Sequence, residues 1–404
     1  MKLLVFTNHF PNRHCPLRGI FNLHQFRALA QHCEVRVTAP LQWSPVRLSH
    51  GAGPGLAPRT EEIGGLRTWH PRYFLSPGVA RDTYAVQMAA CLLPSLTRIR
   101  REYPFDLILA TWAFPDVVTG ALLARALNVP LLAKVHGSDV NVQGSYPLRR
   151  RQIRWAMTRA YRVLAVSGAL RDRLLEIGVS PDRVIVRHNG VDRERFQPGD
   201  PREARARLGL PETGRHLLYV GFLQQAKAVD VLLKAAALRK QRGDGGLLLH
   251  LVGTGPLEAE LKALARSLGV EEIVRFHGQR PHEEIPVWMR AADVFCLPSI
   301  REGCPNVILE ALASGRPVVA SRVGGIPELA GPENSILVPP SDPEALADAL
   351  GRALAREWDP EALRGSVAHH TWEDSAGALY QAACEAVALR VADRSHSAPV
   401  QRSP

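Results

Sequence analysis

Apolar residues in this chain follow two rhythms. Short runs such as Leu3-Leu4-Val5-Phe6 and Leu247-Leu248-Leu249 are apolar at consecutive positions, as expected of strands buried on both faces. Longer stretches between them repeat their apolar residues at helical spacing. The alternation predicts strands at 2–7, 35–39, 66–70, 106–111, 131–136, 163–167 and 184–188, with helices at 21–31, 84–101 and 115–127 among them. Residues 190–211 interrupt it with Asn189-Gly190, Pro198-Gly199-Asp200-Pro201 and Pro211, all turn or linker signals. It then restarts, with strands at 216–221, 247–253, 273–277, 294–298, 317–321 and 336–338 and helices at 229–242, 256–268, 282–292, 306–314 and 343–355.

The fold class this predicts is α/β, with two Rossmann-like doubly wound domains in tandem at 1–192 and 208–371. A last helix at 372–392 is expected to cross back to the first domain, and 393–404 to be a flexible tail. Open parallel sheets bind ligands outside the carboxyl ends of their strands. Two such domains are therefore expected to face each other across a cleft that holds the site.

Composition narrows the class. The 404 residues are 46% hydrophobic and 22% charged, enough for two ordinary cores. The apolar runs are strand-sized, far too short to span a bilayer, and no leader-like segment opens the chain, so a cytoplasmic protein is expected. Cys15, Cys33, Cys91, Cys296, Cys304 and Cys384 lack ligand-like or paired spacing, which speaks against a zinc site or a disulfide framework. The net charge of +11 includes basic clusters at 98–101 and 149–154. With aromatic residues at 69–74 and 149–155, these suggest peripheral contact with an anionic membrane face, while a solvated arginine surface explains them equally well. No helix-turn-helix, zinc-finger or RNA-binding aromatic motif accompanies the charge, so nucleic acid is not an expected partner.

The densest chemistry lies at Arg301-Glu302-Gly303-Cys304-Pro305-Asn306-Val307-Ile308-Leu309-Glu310-Ala311, between a strand and a helix. Pro305 suits the first helical turn, leaving the amides of Asn306 and Val307 as donors at the positive end of the helix dipole. Glu302 precedes the helix and Glu310 lies inside it, so two carboxylates can meet different parts of one ligand.

This segment resembles the E-x7-E signature of retaining GT-B glycosyltransferases of family 4 (glycosyl transferases group 1). The surrounding Ser-x-x-Glu-Gly-x-Pro-Asn-x-x-x-Glu-Ala pattern and Gly324-Gly325-Ile326-Pro327-Glu328 agree with it, and the resemblance covers almost the whole chain. It implies a transferase of the EC 2.4 class that moves a hexose-type sugar from a UDP- or GDP-linked donor, without metal, to a saccharide or lipid-linked acceptor in cell-surface polysaccharide or glycolipid synthesis. It also implies that Glu302 lies beside the transferred sugar, that Glu310 holds the ribose, and that His136, at a strand end in His136-Gly137-Ser138-Asp139, bonds the sugar. Lys227 would neutralise the diphosphate. The donor would further meet Arg18 and Gly19 in the first loop, Gly253 and Gly255 after a later strand, and Gly303, Cys304, Pro305, Asn306 and Val307. Asp139 could touch the acceptor or support His136. The chain departs from the family where Phe222 stands in place of an arginine and Ala228 in place of a glycine, which leaves Arg18, Arg322 or helix N-termini to compensate. Two other readings stay open: an inactive nucleotide-sugar-binding scaffold, and a sugar-nucleotide epimerase or phosphorylase of the same fold.

Overall fold

A computed structural model describes residues 1–43, 57–75 and 80–396. The chain divides into two compact units, one formed by Met1–His188 with the chain from Trp372 onward, the other by Asn189–Thr371. The first-domain end expected at 192 thus lies four residues past His188, and the second unit begins well before 208.

The first unit runs β1 (Lys2–Phe6), α1 (Ile20–Leu29), β2 (Glu34–Thr38), β3 (Leu41–Gln42), β4 (Thr60–Ile63), β5 (Leu66–Trp69), β6 (Arg72–Tyr73), α2 (Tyr84–Glu102), β7 (Leu107–Thr111) and α3 (Val118–Ala126). It continues with β8 (Leu131–Val135), α4 (Ser138–Asn141), α5 (Pro147–Met157), β9 (Val163–Ala165), α6 (Gly168–Ile177) and β10 (Val184–Val186). Its main sheet has the order β10-β9-β8-β7-β1-β2-β5-β4, and only the β4–β5 pair is antiparallel. The consecutive apolar residues of β1 and β7 are fully buried, as strands covered on both faces must be.

The second unit runs α7 (Pro201–Leu208), β11 (Arg215–Val220), α8 (Val229–Gln241), β12 (Leu247–Val252), α9 (Glu258–Ser267), β13 (Val274–Gly278), α10 (Ile285–Ala291) and β14 (Val294–Leu297). It ends with α11 (Asn306–Ala313), β15 (Val318–Ser321), α12 (Ile326–Leu329), β16 (Ser335–Val338), α13 (Pro343–Ala355) and α14 (Pro360–Ser366). Its six strands are all parallel, in the order β13-β12-β11-β14-β15-β16.

Helix α15 (Trp372–His396) returns to the first unit and packs on α1, where Gln25 Nε2 donates to Ser375 Oγ at 2.8 Å. It extends past the expected tail boundary at 393; residues 397–404 lie outside the described set. The interruption expected at 190–211 contains a helix. Asp200 Oδ1 accepts from Arg202 N at 2.8 Å and Pro201 occupies the first turn, so the residues that read as a turn are those that start α7. Residues 50–60, whose glycines and prolines read in the sequence as an irregular loop, lie mostly outside the described residues, while Thr60 opens β4.

Candidate active site

In the second unit the strand order reverses between β11 and β14, because the chain leaves β11 toward β12 on one side and β14 toward β15 on the other. The loops that follow these two strands carry the residues of the candidate site. After β11, a short 3-10 turn ends on Lys227. After β14, Ser299 and Glu302 follow within a few residues. Lys227 Nζ lies 2.6 Å from Glu302 Oε1, and Ser299 Oγ donates to the same oxygen at 2.6 Å. The Glu302 and Lys227 side chains are only 10% and 20% exposed, so the pair is held by protein rather than by water.

The backbone laces these loops together. Ile300 N donates to Ala226 O at 3.0 Å, and Gly325 N to Gly303 O at 2.9 Å. At Gly324 a Cβ would stand 2.1 Å from the Glu302 carbonyl oxygen, so only glycine lets the loop after β15 close on Glu302. Gly253 and Gly255 flank Thr254, whose carbonyl accepts from Leu223 N at 2.8 Å and joins the loop after β12 to the one after β11.

Pro305 precedes α11 as its cap, with extended backbone, and is not in the first turn as expected. The consequence for Asn306 and Val307 is the same: they begin the helix, and no side chain caps them. The Asn306 side chain is oriented by Asn189, whose Nδ2 donates to Asn306 Oδ1 at 2.9 Å. Cys304 is buried beside them. One and a half turns in, Glu310 Oε1 lies 3.4 Å from His282 Nε2. Ser299 stands inside the quoted motif without a role, and His282 follows β13, a strand-end position that could have marked it.

Phe222 is 54% exposed and Ala228 adopts a left-handed backbone at φ 47°. Arg322 lines a cavity with Arg352 and Arg356 beside β16.

In the first unit the reversal lies between β1 and β7. His136 follows β8 there, with its Nε2 buried and without a hydrogen-bond partner, and burial holds its imidazole well below the usual range. Asp139 is fully buried. Its carboxylate accepts from Gly137 N at 2.6 Å, Ala113 N at 2.8 Å and His136 N at 3.1 Å, so it fixes the backbone that carries His136. Gly19 lies against the first strand's loop: a Cβ there would meet His9 O at 2.2 Å, so its close approach is to the protein's own backbone. Arg18 beside it is exposed. Sequence reading assigned nothing to His9, Trp112 or Asp116, which share this end of the sheet.

Among the described residues no helix is long and apolar enough to cross a membrane.

The family model described as Glycosyl transferases group 1 matches residues 214–356, and the model described as Glycosyltransferase Family 4 matches residues 27–195. The chain is 30% identical over 370 residues, 89% of its own length and 91% of the relative's, to a Bacillus subtilis (strain 168) protein named for teichuronic acid biosynthesis, the glycosyltransferase TuaC. It is 34% identical over 292 residues to the D-inositol 3-phosphate glycosyltransferase 1 of Catenulispora acidiphila, covering 66% of this chain and 70% of that one. Among solved structures, sucrose-phosphate synthase from Thermosynechococcus elongatus superposes with a TM-score of 0.79 at 25% identity, covering 96% of this chain and 99% of its own.

Proposed function

The chain belongs to glycosyltransferase family 4, with the GT-B fold and a transferase activity of the EC 2.4 class, and on that premise we propose a retaining hexosyltransferase that uses a nucleotide-sugar donor. The observation that carries this reading is the Lys227–Glu302–Ser299 cluster at the strand reversal of the second unit, beside the start of α11.

Breaking a sugar–phosphate bond puts negative charge on the departing diphosphate. The Lys227 ammonium and the positive end of α11 are fixed donors for that charge and need no reorganisation as it develops. They support transfer without a metal ion. Glu302, tied to Lys227 and Ser299, is placed to steady the positive charge on the transferred sugar. Glu310 would take the ribose hydroxyls, with His282 orienting it. Retention follows if the acceptor hydroxyl enters on the face the phosphate leaves, the phosphate oxygen taking its proton. His136 in the first unit would bond the transferred sugar.

For the acceptor we propose a saccharide or lipid-linked saccharide, on the way to a cell-surface polysaccharide or glycolipid. The relatives described above are named as glycosyltransferases of teichuronic acid biosynthesis and of D-inositol 3-phosphate. Helix α5 supports peripheral contact with an anionic membrane from a cytoplasmic location, because Arg150 and Arg151 are exposed beside Leu148, which is 56% exposed.

The test is a metal-free thermal-shift screen of UDP-, GDP-, ADP- and dTDP-sugars, followed by NMR of the anomeric proton of the product. A selective shift lost in Glu310→Ala, with the donor's anomeric configuration kept, supports the reading. An inverted product, or transfer abolished by EDTA, overturns it.

A further inference from the structure

A cavity of about 330 Å³ lies at the amino end of the second sheet. It is bounded by residues where β11, β14 and β15 begin, by the last turn of α13 and by the segment that leads into α14. The candidate site follows the carboxyl ends of β11 and β14, and no residue that lines the cavity belongs to it. The volume is at the lower end of those that hold a small ligand.

Positive charge in its walls is not balanced. Arg215, Arg316 and Arg356 line it together with one carboxylate, Asp293. Both oxygens of Asp293 are already engaged: Oδ1 accepts from Arg205 Nη2 at 2.7 Å and Oδ2 from His216 N at 2.7 Å. Arg215 lies 3.9 Å from Asp244, a carboxylate that Arg239 also holds. Arg356 Nη1 donates to the Pro332 carbonyl at 3.2 Å, and its guanidinium lies 3.9 Å from the centroid of the Trp358 ring. Arg316 carries the most weight. It is only 8% exposed, its Nη2 donates to the Gly199 carbonyl at 3.3 Å, and its Nε is buried without a hydrogen-bond partner. Its backbone is fixed, since Arg316 N donates to Ala311 O at 2.9 Å. Burial works against its charge; Asp293 offsets part of that, and Arg205 and Arg290 add to it. Unpaired buried groups are few in folded proteins, and a guanidinium that keeps one marks a missing acceptor.

We propose that this cavity is a second ligand site, which takes a small organic phosphate monoester and holds its phosphate with Arg316, Arg215 and Arg356. At neutral pH a phosphate monoester brings nearly two negative charges and three acceptor oxygens, enough for three guanidinium groups, where a carboxylate brings one charge and two oxygens. Pro317, Leu354, Trp358 and Pro360 supply an apolar wall for the carbon part of the ester. Trp358 is fixed there, because its Nε1–H donates to the Ala353 carbonyl at 2.9 Å. The site stands independently of the transferase reading, with which it shares no residue.

Titration of the full chain with glucose 6-phosphate, followed through the indole N–H signal of Trp358 in heteronuclear NMR spectra, tests it. Loss of that signal in Trp358→Phe assigns it, and glucose and inorganic phosphate serve as controls. The signal should move with glucose 6-phosphate and stay in place with glucose, and inorganic phosphate should bind more weakly than the ester. Raised salt should weaken binding. Arg316→Met should weaken it by about tenfold or more, and Arg316→Lys by less, since lysine keeps the charge and loses the planar fork. Arg356 is exposed, so Arg356→Ala should leave the melting temperature unchanged while weakening binding about threefold, and it decides the matter should Arg316→Met fail to fold. Lys227→Met should bind glucose 6-phosphate as the parent chain does. The proposal is overturned by a Trp358 signal that ignores both phosphates, by glucose or inorganic phosphate binding as tightly as the ester, or by parent-like affinity in Arg356→Ala and every folded Arg316 variant. Ester binding lost in Lys227→Met and kept in Arg316→Met would put the ligand in the candidate active site and overturn it too. Nucleotide titration of Arg356→Ala separates the two sites: unchanged nucleotide binding beside weakened ester binding supports this one, and failure of the ester to bind leaves the transferase reading as it stands.

Discussion

Lys227 Nζ and Ser299 Oγ both lie 2.6 Å from the same oxygen of Glu302, Oε1, so a cation from the loop after β11 and a hydroxyl from the loop after β14 converge on one carboxylate. The two loops flank the strand reversal of a parallel sheet, where bound ligands meet the most backbone donors. A carboxylate held from two sides cannot turn into solvent, and under the proposed function a lysine held by it lies beside the place where diphosphate charge would develop.

Removing either partner should therefore separate binding from transfer. Glu302→Ala is expected to lower kcat/KM for transfer by about 10²- to 10³-fold while nucleoside diphosphate still binds. Lys227→Met should lose a comparable factor and weaken diphosphate binding as well. Ser299→Ala, which removes one hydrogen bond to a charged group, should cost about 1.5–3 kcal/mol of transition-state stabilisation at most. Steady-state kinetics beside calorimetric titration of the nucleoside diphosphate read all three. Full transfer activity in Glu302→Ala would remove the central role given to that residue.

Ala228 follows Lys227 at φ 47° and ψ 44°, in the left-handed region where a Cβ is crowded by the carbonyl that follows. The position precedes α8, where the family usually has glycine. Ala228→Gly should stabilise the second unit by about 1 kcal/mol or less, since relief of the left-handed strain is partly offset by the greater freedom of glycine in the unfolded chain. Urea unfolding of the two chains checks it. A loss of stability would mean that the Ala228 methyl, which is buried, contributes more in packing than its backbone costs.

Much of this was legible in the chain itself. Consecutive apolar residues in β1, β7, β11 and β14 announced parallel strands buried on both faces, and the resemblance of the segment around Glu302 and Glu310 to a family motif pointed to the loop that the structure brings against Lys227. Contacts between distant segments were not legible. His282 meets Glu310 across 28 residues, and His9 meets Trp112 through a backbone conformation that no residue preference foretells. Asp200-Pro201 shows the other kind of miss: the residues that end one element are also good at starting a helix, and only the chain beyond them decides which.

Three histidines cross the second sheet in a line. His216 of β11 bonds His250 of β12 at 3.0 Å, and His250 bonds His277 of β13 at 3.0 Å. At the far end His216 Nε2 faces the Thr213 carbonyl at 3.4 Å, which can only accept. Each Nε2 then carries the hydrogen and the Nδ1 atoms of His216 and His250 accept, so those two rings are neutral. Burial lowers His250 to about 3 and His277 to about 4, with the neighbouring His277, Arg275 and Arg280 adding to the effect, and burial followed by Arg205 lowers His216. Depressed histidines bind fewer protons folded than unfolded. Stability is therefore complete above the ordinary value near 6.5 and is lost as pH falls from there toward the folded values. The loss should be roughly 2 kcal/mol for buried His250 over the two pH units below 6.5, with less from partly exposed His277. Urea unfolding at pH 7, 5.5 and 4.5 should show the fall, and His250→Gln should flatten it. An unchanged slope in that variant would mean that other groups set the acid limit.

Phe222 offers the sharpest test of how the diphosphate is held. It stands two residues past β11, 54% exposed, and its carbonyl accepts from Tyr219 Oη at 3.2 Å, so the backbone is anchored while the phenyl ring is left outside the core. A large apolar side chain at a strand's carboxyl end contributes nothing to charge neutralisation, which under the proposed function leaves Lys227 and the start of α11 to supply it in the second unit. Phe222→Arg should supply a second cation, tightening nucleoside diphosphate binding by about three- to tenfold, and the gain should shrink as salt is raised. Phe222→Ala should change binding little. Calorimetric titration at two salt concentrations distinguishes the outcomes. If Phe222→Ala weakens binding while Phe222→Arg fails to improve it, the phenyl ring itself touches the ligand, and the chain holds its nucleotide through an apolar contact in place of the second positive charge.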